Sequence, residues 1–328
     1  MDSGRPADEG LKFRLVDGRD GPDNQVNSQR IVESVTVVIP TLNEASSIGG
    51  LIHEIRSTGF DNILITDGYS IDGTTDIASD LGAKVVMQHG KGKAGALTTA
   101  FRIVSTPYLI VMDGDGSYDP ADLNKFLPLV GTFDFVKGVR ARNMNMSNLH
   151  KIGNNIITKT FDMFFGTSVG DVCSGMYMLK TSKVMTLHLE KHPMTVEQEI
   201  AAELAQDSAV ITTVPINYRK RSGGVSKTKT WRQGFRDLLT NFDLARTYNP
   251  IMMFSAASTL ALLPAICVLG YAAFLYVFES QYHGGLLQLG LVLLVLGSQG
   301  LTVATIAVIL RRIERKLALV QHQRQGVV

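Results

Sequence analysis

The sequence predicts an α/β domain with a mostly parallel sheet and helices on both faces, followed by an amphipathic helix and a two-helix transmembrane hairpin. Three observations carry this. From Val35 onward, short apolar, β-branched runs alternate with helical stretches, the pattern of repeated βα units. Three of these runs end in polar loops that carry carboxylates: Glu44, Asp67, and Asp113 with Asp115. In such sheets ligands bind where the strands end. Toward the C-terminus, Ile251 to Phe278 and Gly284 to Leu310 contain no charged residue, and each exceeds the ~20 residues that cross a bilayer as a helix.

Composition narrows the class. The chain has 328 residues, 45% of them hydrophobic, a length that suggests about two domains. Its net charge of +2 gives no sign of a nucleic-acid binder. The two cysteines, Cys173 and Cys267, lie in different regions, one of them inside an apolar span. They are expected to be buried reduced thiols rather than a disulfide framework, which fits a cytoplasmic soluble part. Residues 1–32 have no apolar signal core and are rich in Gly, Asp, Asn, Gln and Arg, the composition of a disordered tail.

Taken in order, Val35 to Ile39 is a buried strand, Pro40 to Glu44 a turn, and Ala45 to Arg56 a helix. A second strand, Asn62 to Thr66, ends in the glycine-rich loop Asp67-Gly68-Tyr69-Ser70-Ile71-Asp72-Gly73-Thr74. A helix from Thr75 to Leu81 leads to a strand at Lys84 to Met87, then to Gly90-Lys91-Gly92-Lys93 and a helix through about Val104. The next strand begins at Tyr108 and runs into Asp113-Gly114-Asp115. Two carboxylates on alternate residues are costly unless a cation neutralises them. A divalent ion chelated to a diphosphate does so with hard oxygen ligands; the plainer alternative is an Asp-Gly turn closing the strand. Phe133 to Val136 is a strand ending at Gly138-Val139-Arg140, and Asn148 to Phe165 is a helix with an apolar face of Ile152, Ile156 and Phe164. A strand at Met176 to Leu179, a helix at Val196 to Leu204 carrying Glu197, Glu199 and Glu203, and a strand at Val210 to Val214 complete a domain spanning 33–228.

Residues 229–249 place Trp231, Phe235, Leu238, Leu239, Phe242 and Leu244 among Arg and Asp, as in a helix lying in a membrane interface. The spans follow within 250–310, at about 251–278 and 284–310, and the first contains Pro264, which bilayer helices tolerate. Basic residues stand before the first span (Lys227, Lys229, Arg232, Arg236, Arg246) and after the second (Arg311, Arg312, Arg315, Lys316), while the link Glu279 to His283 has no Lys or Arg. The positive-inside rule therefore predicts a two-span cell-membrane protein with residues 1–250 and a basic tail, 311–328, in the cytoplasm. The bilayer is thus an expected partner, and a homo-oligomer is compatible with small spans of this kind.

Together these stretches resemble the family-2 glycosyltransferases of GT-A fold, a Rossmann-like α/β architecture. The likeness is greatest to dolichyl-phosphate mannose synthases and the archaeal enzymes that charge dolichyl phosphate for N-glycosylation. It covers roughly Val35 to Lys227. Val37-Val38-Ile39-Pro40-Thr41-Leu42-Asn43-Glu44 matches the family's first-strand motif and implies Pro40, Leu42 and Glu44 at the nucleotide; mannose synthases usually have Tyr at the position of Leu42. Ser70-Ile71-Asp72-Gly73-Thr74 matches the second motif, with Asp67 implied as the base contact and Asp72 read as a turn cap. Asp113-Gly114-Asp115 matches the family's Asp-x-Asp. The resemblance implies Mg2+ or Mn2+ on Asp113 and Asp115, with Gly114 at the nucleotide-sugar, and Ser117 at the position of a metal-supporting Gln. Gly138-Val139-Arg140 resembles Gly-Ser-Arg and implies a phosphate contact at Arg140. Asp171-Val172-Cys173-Ser174-Gly175 resembles Asp-x-x-Ser-Gly, placing Ser174 and Gly175 in the sugar or acceptor pocket. Arg221-Ser222-Gly223-Gly224-Val225-Ser226-Lys227 matches the family's basic hairpin at the membrane. There Arg221 can fork two phosphate oxygens while Lys227 supplies a point charge beside Ser226. Glu199 matches a Glu of mannose synthases at the nucleotide-sugar. Lys91 and Lys93 are within reach of phosphate but are read as solvated loop lysines.

The resemblance implies inverting transfer of a hexose from a nucleotide-sugar (GDP-mannose, UDP-glucose or UDP-N-acetylglucosamine) to dolichyl or polyprenyl phosphate, making a lipid-linked donor for protein glycosylation. A phosphate monoester has a second pKa of about 6 and is mostly dianionic at neutral pH, so the acceptor is already a nucleophile. The protein must hold two anions together and stabilise the departing diphosphate, which makes Asp115, Arg140, Arg221 and Lys227 the expected catalytic group. A processive polysaccharide synthase is the enzymatic alternative. It fits less well because Trp231-Arg232-Gln233 is in the wrong order for Gln-x-x-Arg-Trp and only two spans follow. A nicotinamide enzyme would need Gly-x-Gly-x-x-Gly after the first strand, which is lacking. A non-catalytic membrane-anchored scaffold would bind nucleotide without releasing or transferring sugar.

Overall fold

The computed structural model describes residues 29–141, 148–185, 187, 189, 195–207, 209–219 and 230–325, with side chains except at 148–150, 230–234, 311–312 and 314–325. Its strands are β1 Val35–Thr41, β2 Ile63–Asp67, β3 Lys84–Met87, β4 Tyr108–Val111, β5 Phe135–Arg140, β6 Tyr177–Lys180 and β7 Ile211–Ile216. They form one sheet ordered β3-β2-β1-β4-β6-β5-β7. The pairs β1–β2, β1–β4, β2–β3 and β5–β7 are parallel. Strand β6 runs antiparallel to both β4 and β5, the one reversal among the described strands.

The four residues of β4 and the five of β2 are all buried, as expected of strands covered on both faces. Alternation sorts their neighbours: Val37, Ile39, Ile110 and Met112 pack on one face, Val38, Val111, Phe135 and Tyr177 on the other. The first face is covered by α1 (Ala45–Ser57), whose Ile48, Leu51, Ile52 and Ile55 are buried, and by α2 (Thr74–Asp80). The second is covered by α3 (Gly92–Ile103), α4 (Asn148–Phe165) and α6 (Val196–Gln206); a short turn of helix, α5 (Thr181–Val184), follows β6. Each buried aliphatic side chain contributes roughly 1.5–3 kcal/mol relative to exposure. The register sets Thr41 beside Asp67, and Val38 beside Val111. The loops after β1, β2 and β4 therefore leave the sheet at one edge, as expected.

Helix α4 departs from expectation. Ile152 and Ile156 are 58% and 50% exposed, while Ile157, Phe161, Phe164 and Phe165 are buried. Its inner face is set by α7 (Thr230–Tyr248): Asn241 Nδ2 donates to the Ile157 carbonyl at 2.8 Å, and Phe164 meets Phe242 edge-on at 5.0 Å. Helix α7 exposes Phe235, Leu239 and Phe242. The two packed helices therefore each present an uncovered apolar row.

Helix α8 (Pro250–Phe278) starts with Asn249 as N-cap and Pro250 at the first position, where a missing N–H costs nothing. It and the Gly284–Leu310 part of α9 are long and apolar enough to cross a membrane. Helix α9 runs from Gly284 to Gln325, so residues 311–325, expected as a tail, continue the helix for about 22 Å. Gly290, Gly297 and Gly300 form the seam with α8: a Cβ at these positions would fall within 2.6 Å of Leu269, Leu262 or Ser258 atoms. Small residues permit such close approach of helices in lipid. Both cysteines are free, but Cys173 is half-buried and Cys267 exposed on α8, contrary to the expectation of two buried thiols. Residues 1–28 lie outside the described residues, and residues 29–33, mostly within the stretch assigned to the tail, are helical.

Candidate active site

The carboxylate pair sits at the tip of β4, anchored by the Met112 N–H to the Val38 carbonyl at 3.0 Å. Gly114 lies against β1, where a Cβ would stand 3.0 Å from Thr41 Cγ2, and its carbonyl accepts the Ser47 hydroxyl at 2.8 Å. Asp115 Oδ1 accepts the Ser117 N–H at 3.0 Å, and the buried Ser117 accepts the Arg219 N–H at its carbonyl. Across the cleft, Gly175 makes room for Asp113: a Cβ there would fall 2.2 Å from Asp113 Oδ2. The Gly175 N–H donates to the phenolic oxygen of buried Tyr118 at 2.7 Å, tying the 171–175 loop to the loop after β4.

Lys93, expected in solvent, instead enters the site from the first turn of α3. Its ammonium pairs with Asp113 Oδ1 and with Glu197 Oε1 from the first turn of α6. Burial alone would lower its pKa; Asp113 and Glu197 hold it well above the ordinary lysine range. Burial raises the Asp113 carboxyl, with Lys93 opposing. For Glu197 the balance is reversed: burial pushes up, but Lys93 and Lys137 bring it below its ordinary value. Lys91 is exposed, as read.

Behind this clamp lies Lys137, a fully buried lysine opposite Tyr177 in the β5–β6 register. Its ammonium stands 4.7 Å from the Tyr177 ring centroid and has no hydrogen-bond partner among the described residues. Burial pushes it down to about 8, against the pull of Glu197 and Asp171. Neither Lys137 nor Tyr118 was singled out by motif. The signal for Lys137 was a charged residue on the same strand face as Phe135.

Arg140 lies at the end of β5, paired at two points with Asp171 and set over the Tyr218 ring at 5.3 Å. The two residues border a cleft of about 550 Å³ whose wall includes Lys151, Asn154 and Thr158 from α4. Arg221, Ser226 and Lys227, expected at the acceptor phosphate, lie outside the described residues.

On the β1 side, Leu42 is 46% exposed and Pro40 half-buried, and the Glu44 N–H donates to Thr74 Oγ1 at 2.9 Å. Asp67 is not in the open loop. It is fully buried, and its carboxylate accepts Thr41 Oγ1 at 2.8 Å, the Ser70 N–H at 2.7 Å and Ser70 Oγ at 2.6 Å. These bonds fix the loop after β2. Asp72 accepts the Ala45 and Thr74 N–H groups, capping the starts of α1 and α2 as expected of a turn cap. Glu199 is also displaced from its expected place. Two residues on from Glu197 it points to another side of α6, where Tyr248 Oη lies 3.4 Å from its Oε1 and 2.7 Å from Glu203 Oε1. Glu197 is the glutamate beside Asp113.

Among the described residues no three or more His, Cys, Asp and Glu side chains form a ready-made metal cage. Asp113 and Asp115 nevertheless fit a hard cation that takes its remaining oxygens from a diphosphate and water.

The glycosyl transferase family 2 profile matches residues 36–187. Glycosyltransferase AglJ of Haloferax volcanii is 33% identical over 76% of this chain and 85% of its own length. The dolichyl-phosphate hexose transferase of the same organism is 28% identical over 58% of this chain and 85% of its own. Among solved structures, glucosyl-3-phosphoglycerate synthase of Mycobacterium tuberculosis, with Mn2+, UDP and product, superposes with a TM-score of 0.52 at 19% identity, over 65% of this chain and 83% of that one. That likeness shows the fold, which is GT-A. With its sequence motifs, its sheet and these relatives in agreement, the chain belongs to glycosyl transferase family 2 and is a glycosyltransferase.

Proposed function

We propose that this enzyme transfers a hexose from a nucleotide-sugar to dolichyl or another polyprenyl phosphate, with inversion, at the cytoplasmic face of a membrane. The observation that carries it is that one loop, 171–175, touches both charged elements, Gly175 against Asp113 at the strand tip and Asp171 paired with Arg140 at the cleft, on a domain leading directly into two apolar helices. The named activity of the Haloferax dolichyl-phosphate hexose transferase supports the acceptor class. The synthase of the same fold was crystallised with Mn2+ and UDP, and with Mg2+ and UDP, which supports a divalent metal here.

Asp113 and Asp115 would hold Mg2+ or Mn2+, which supplies positive charge to the diphosphate as its bond to the anomeric carbon breaks. Arg140, oriented by Asp171, faces the cleft with its remaining N–H groups toward an acceptor phosphate. Arg221, Ser226 and Lys227, outside the described residues, would add positive charge and a hydroxyl to that site. Pro40, Leu42 and Glu44 bracket the nucleotide, and Ser117 braces the turn that carries Asp115. An acceptor oxygen attacks the anomeric carbon on the side opposite the diphosphate. The new C–O bond forms as the old one breaks, the nucleoside diphosphate leaves with the electron pair, and no proton need be removed from a dianionic phosphate. Holding both anions in line is the main task of the protein.

The uncovered rows Ile152–Ile156 of α4 and Phe235–Leu239–Phe242 of α7 belong to helices that meet at the start of the first span, where Asn249 Nδ2 donates to the Phe164 carbonyl at 2.6 Å, as suits helices resting on lipid. The flanking basic residues support a cytoplasmic side for residues 1–250 and the C-terminus. The test is to incubate purified protein with polyprenyl phosphate and a panel of UDP- and GDP-sugars, then weigh the lipid. A gain of one sugar residue supports the activity. A growing polymer, or nucleotide binding with no sugar moved, contradicts it.

A further inference from the structure

Granted the metal-dependent transfer proposed above, we infer that Lys93 makes capture of the divalent cation conditional on the donor's diphosphate. Asp113, one of the two carboxylates that would hold the metal, is paired with an ammonium delivered by α3, and the same ammonium is held by Glu197 of α6. Lys93 therefore stands where a bare cation would bring its charge. Two cations cannot share one carboxylate in a half-buried site without strong repulsion, because the local dielectric is far below that of water.

A diphosphate changes this balance. It brings negative oxygens for the metal and for the ammonium alike. The Lys93 side chain is 26% exposed, so the ammonium stands at the boundary of the site and has a long, flexible stem. It can leave Asp113 for a phosphate oxygen while remaining beside Glu197, whose side chain is 12% exposed and stands in the first turn of α6. Metal alone must displace Lys93; metal with diphosphate gives Lys93 a new partner. The two ligands are thus coupled positively, and the coupling is reciprocal: metal favours nucleotide as much as nucleotide favours metal. An enzyme so built holds little free metal and presents few naked carboxylates between turnovers.

The consequence is a change of sign in one variant. Lys93→Met removes the competitor and also the phosphate contact. Manganese binding is followed by the loss of free Mn2+ signal in electron paramagnetic resonance, on the full chain in nanodiscs, with Mn2+ alone and with UDP or GDP. Relative to wild type, Lys93→Met binds Mn2+ alone more tightly, by about tenfold, as expected when a buried partner no longer holds the carboxylate. With nucleotide present it binds Mn2+ more weakly. Lys93→Arg, which keeps the cation, retains the wild-type order, and Lys93→Gln repeats the comparison if the methionine variant does not fold. An unchanged affinity for Mn2+ alone in the folded variant, or weaker binding under both conditions, overturns the role of Lys93 while leaving metal-dependent transfer intact. Wild type that takes up no Mn2+ with either nucleotide overturns metal dependence itself, and this role with it.

Discussion

Arg140 and Asp171 meet at two points, Nε to Oδ2 at 2.7 Å and Nη2 to Oδ1 at 2.9 Å, with each side chain about one-tenth exposed. The fork fixes the guanidinium plane at the mouth of the cleft. Asp171→Ala leaves Arg140 buried and unpaired, so it is expected to cost about 3 kcal/mol of stability. Asp171→Asn, which keeps shape and one acceptor, is expected to raise KM for polyprenyl phosphate more than for the nucleotide-sugar. Chemical denaturation and steady-state kinetics check the two effects separately.

Asp115→Ala is expected to lower transfer on the order of a thousandfold, by removing charge stabilisation of the leaving group. Asp115 is half-buried at the strand tip and outside the hydrophobic core, so the variant should unfold near the wild-type temperature. Retained turnover in that variant contradicts the assignment.

Gly175→Ala places a methyl group 2.2 Å from where Asp113 Oδ2 lies. The carboxylate must then turn away. Weaker binding of metal with nucleotide, in a protein of near-normal melting temperature, is the expected outcome of calorimetric titration.

Lys137 supplies a pH test. Its folded-state value, pushed down to about 8 by burial, lies below that of an unfolded lysine. Between about 8 and 10.5 the unfolded chain therefore binds more protons than the folded one at this site, and stability rises with pH there. Below 8 the full cost of burying the charge is present. Lys137→Met should raise the melting temperature at pH 7 and leave a smaller rise between pH 8 and 10. Equal slopes in both proteins rule out this ionisation as the cause.

The apolar rows on α4 and α7 can be tested by fluorescence. Single-cysteine labels at Ile152, Ile156, Phe235 and Leu239 are expected to be quenched by brominated lipids, whereas a label at exposed Val210, off both helices, is not. Quenching confined to Phe235 and Leu239 would mean that α4 does not rest on lipid.

Much of the fold could be read from local pattern. The β1, β2 and β4 runs, the α4 boundaries and both apolar helices follow from hydrophobic period and from Gly and Asp turns. The reversal of β6 does not, because an all-buried strand reads the same in either direction. The face of α4 was misjudged for a related reason: Ile156 and Ile157 are adjacent and equally apolar, and only α7 decides which is covered. At the site, the strand tip and Arg140 were legible from motif. Lys93 was not, since a Gly-Lys-Gly-Lys run looks solvated until Asp113 and Glu197 are brought to it from β4 and α6. The burial of Asp67 was not legible either, because its partners, Thr41 and Ser70, come from a neighbouring strand and a turn.

The most direct test is a single-turnover reaction with radiolabelled nucleotide-sugar, in which polyprenyl phosphate and divalent metal are each supplied or withheld. The label should pass to the lipid only when both are present. Label released to water as free sugar, built into a polymer, or passed to lipid at full rate in excess chelator would contradict a cation-assisted transfer at Asp113 and Asp115.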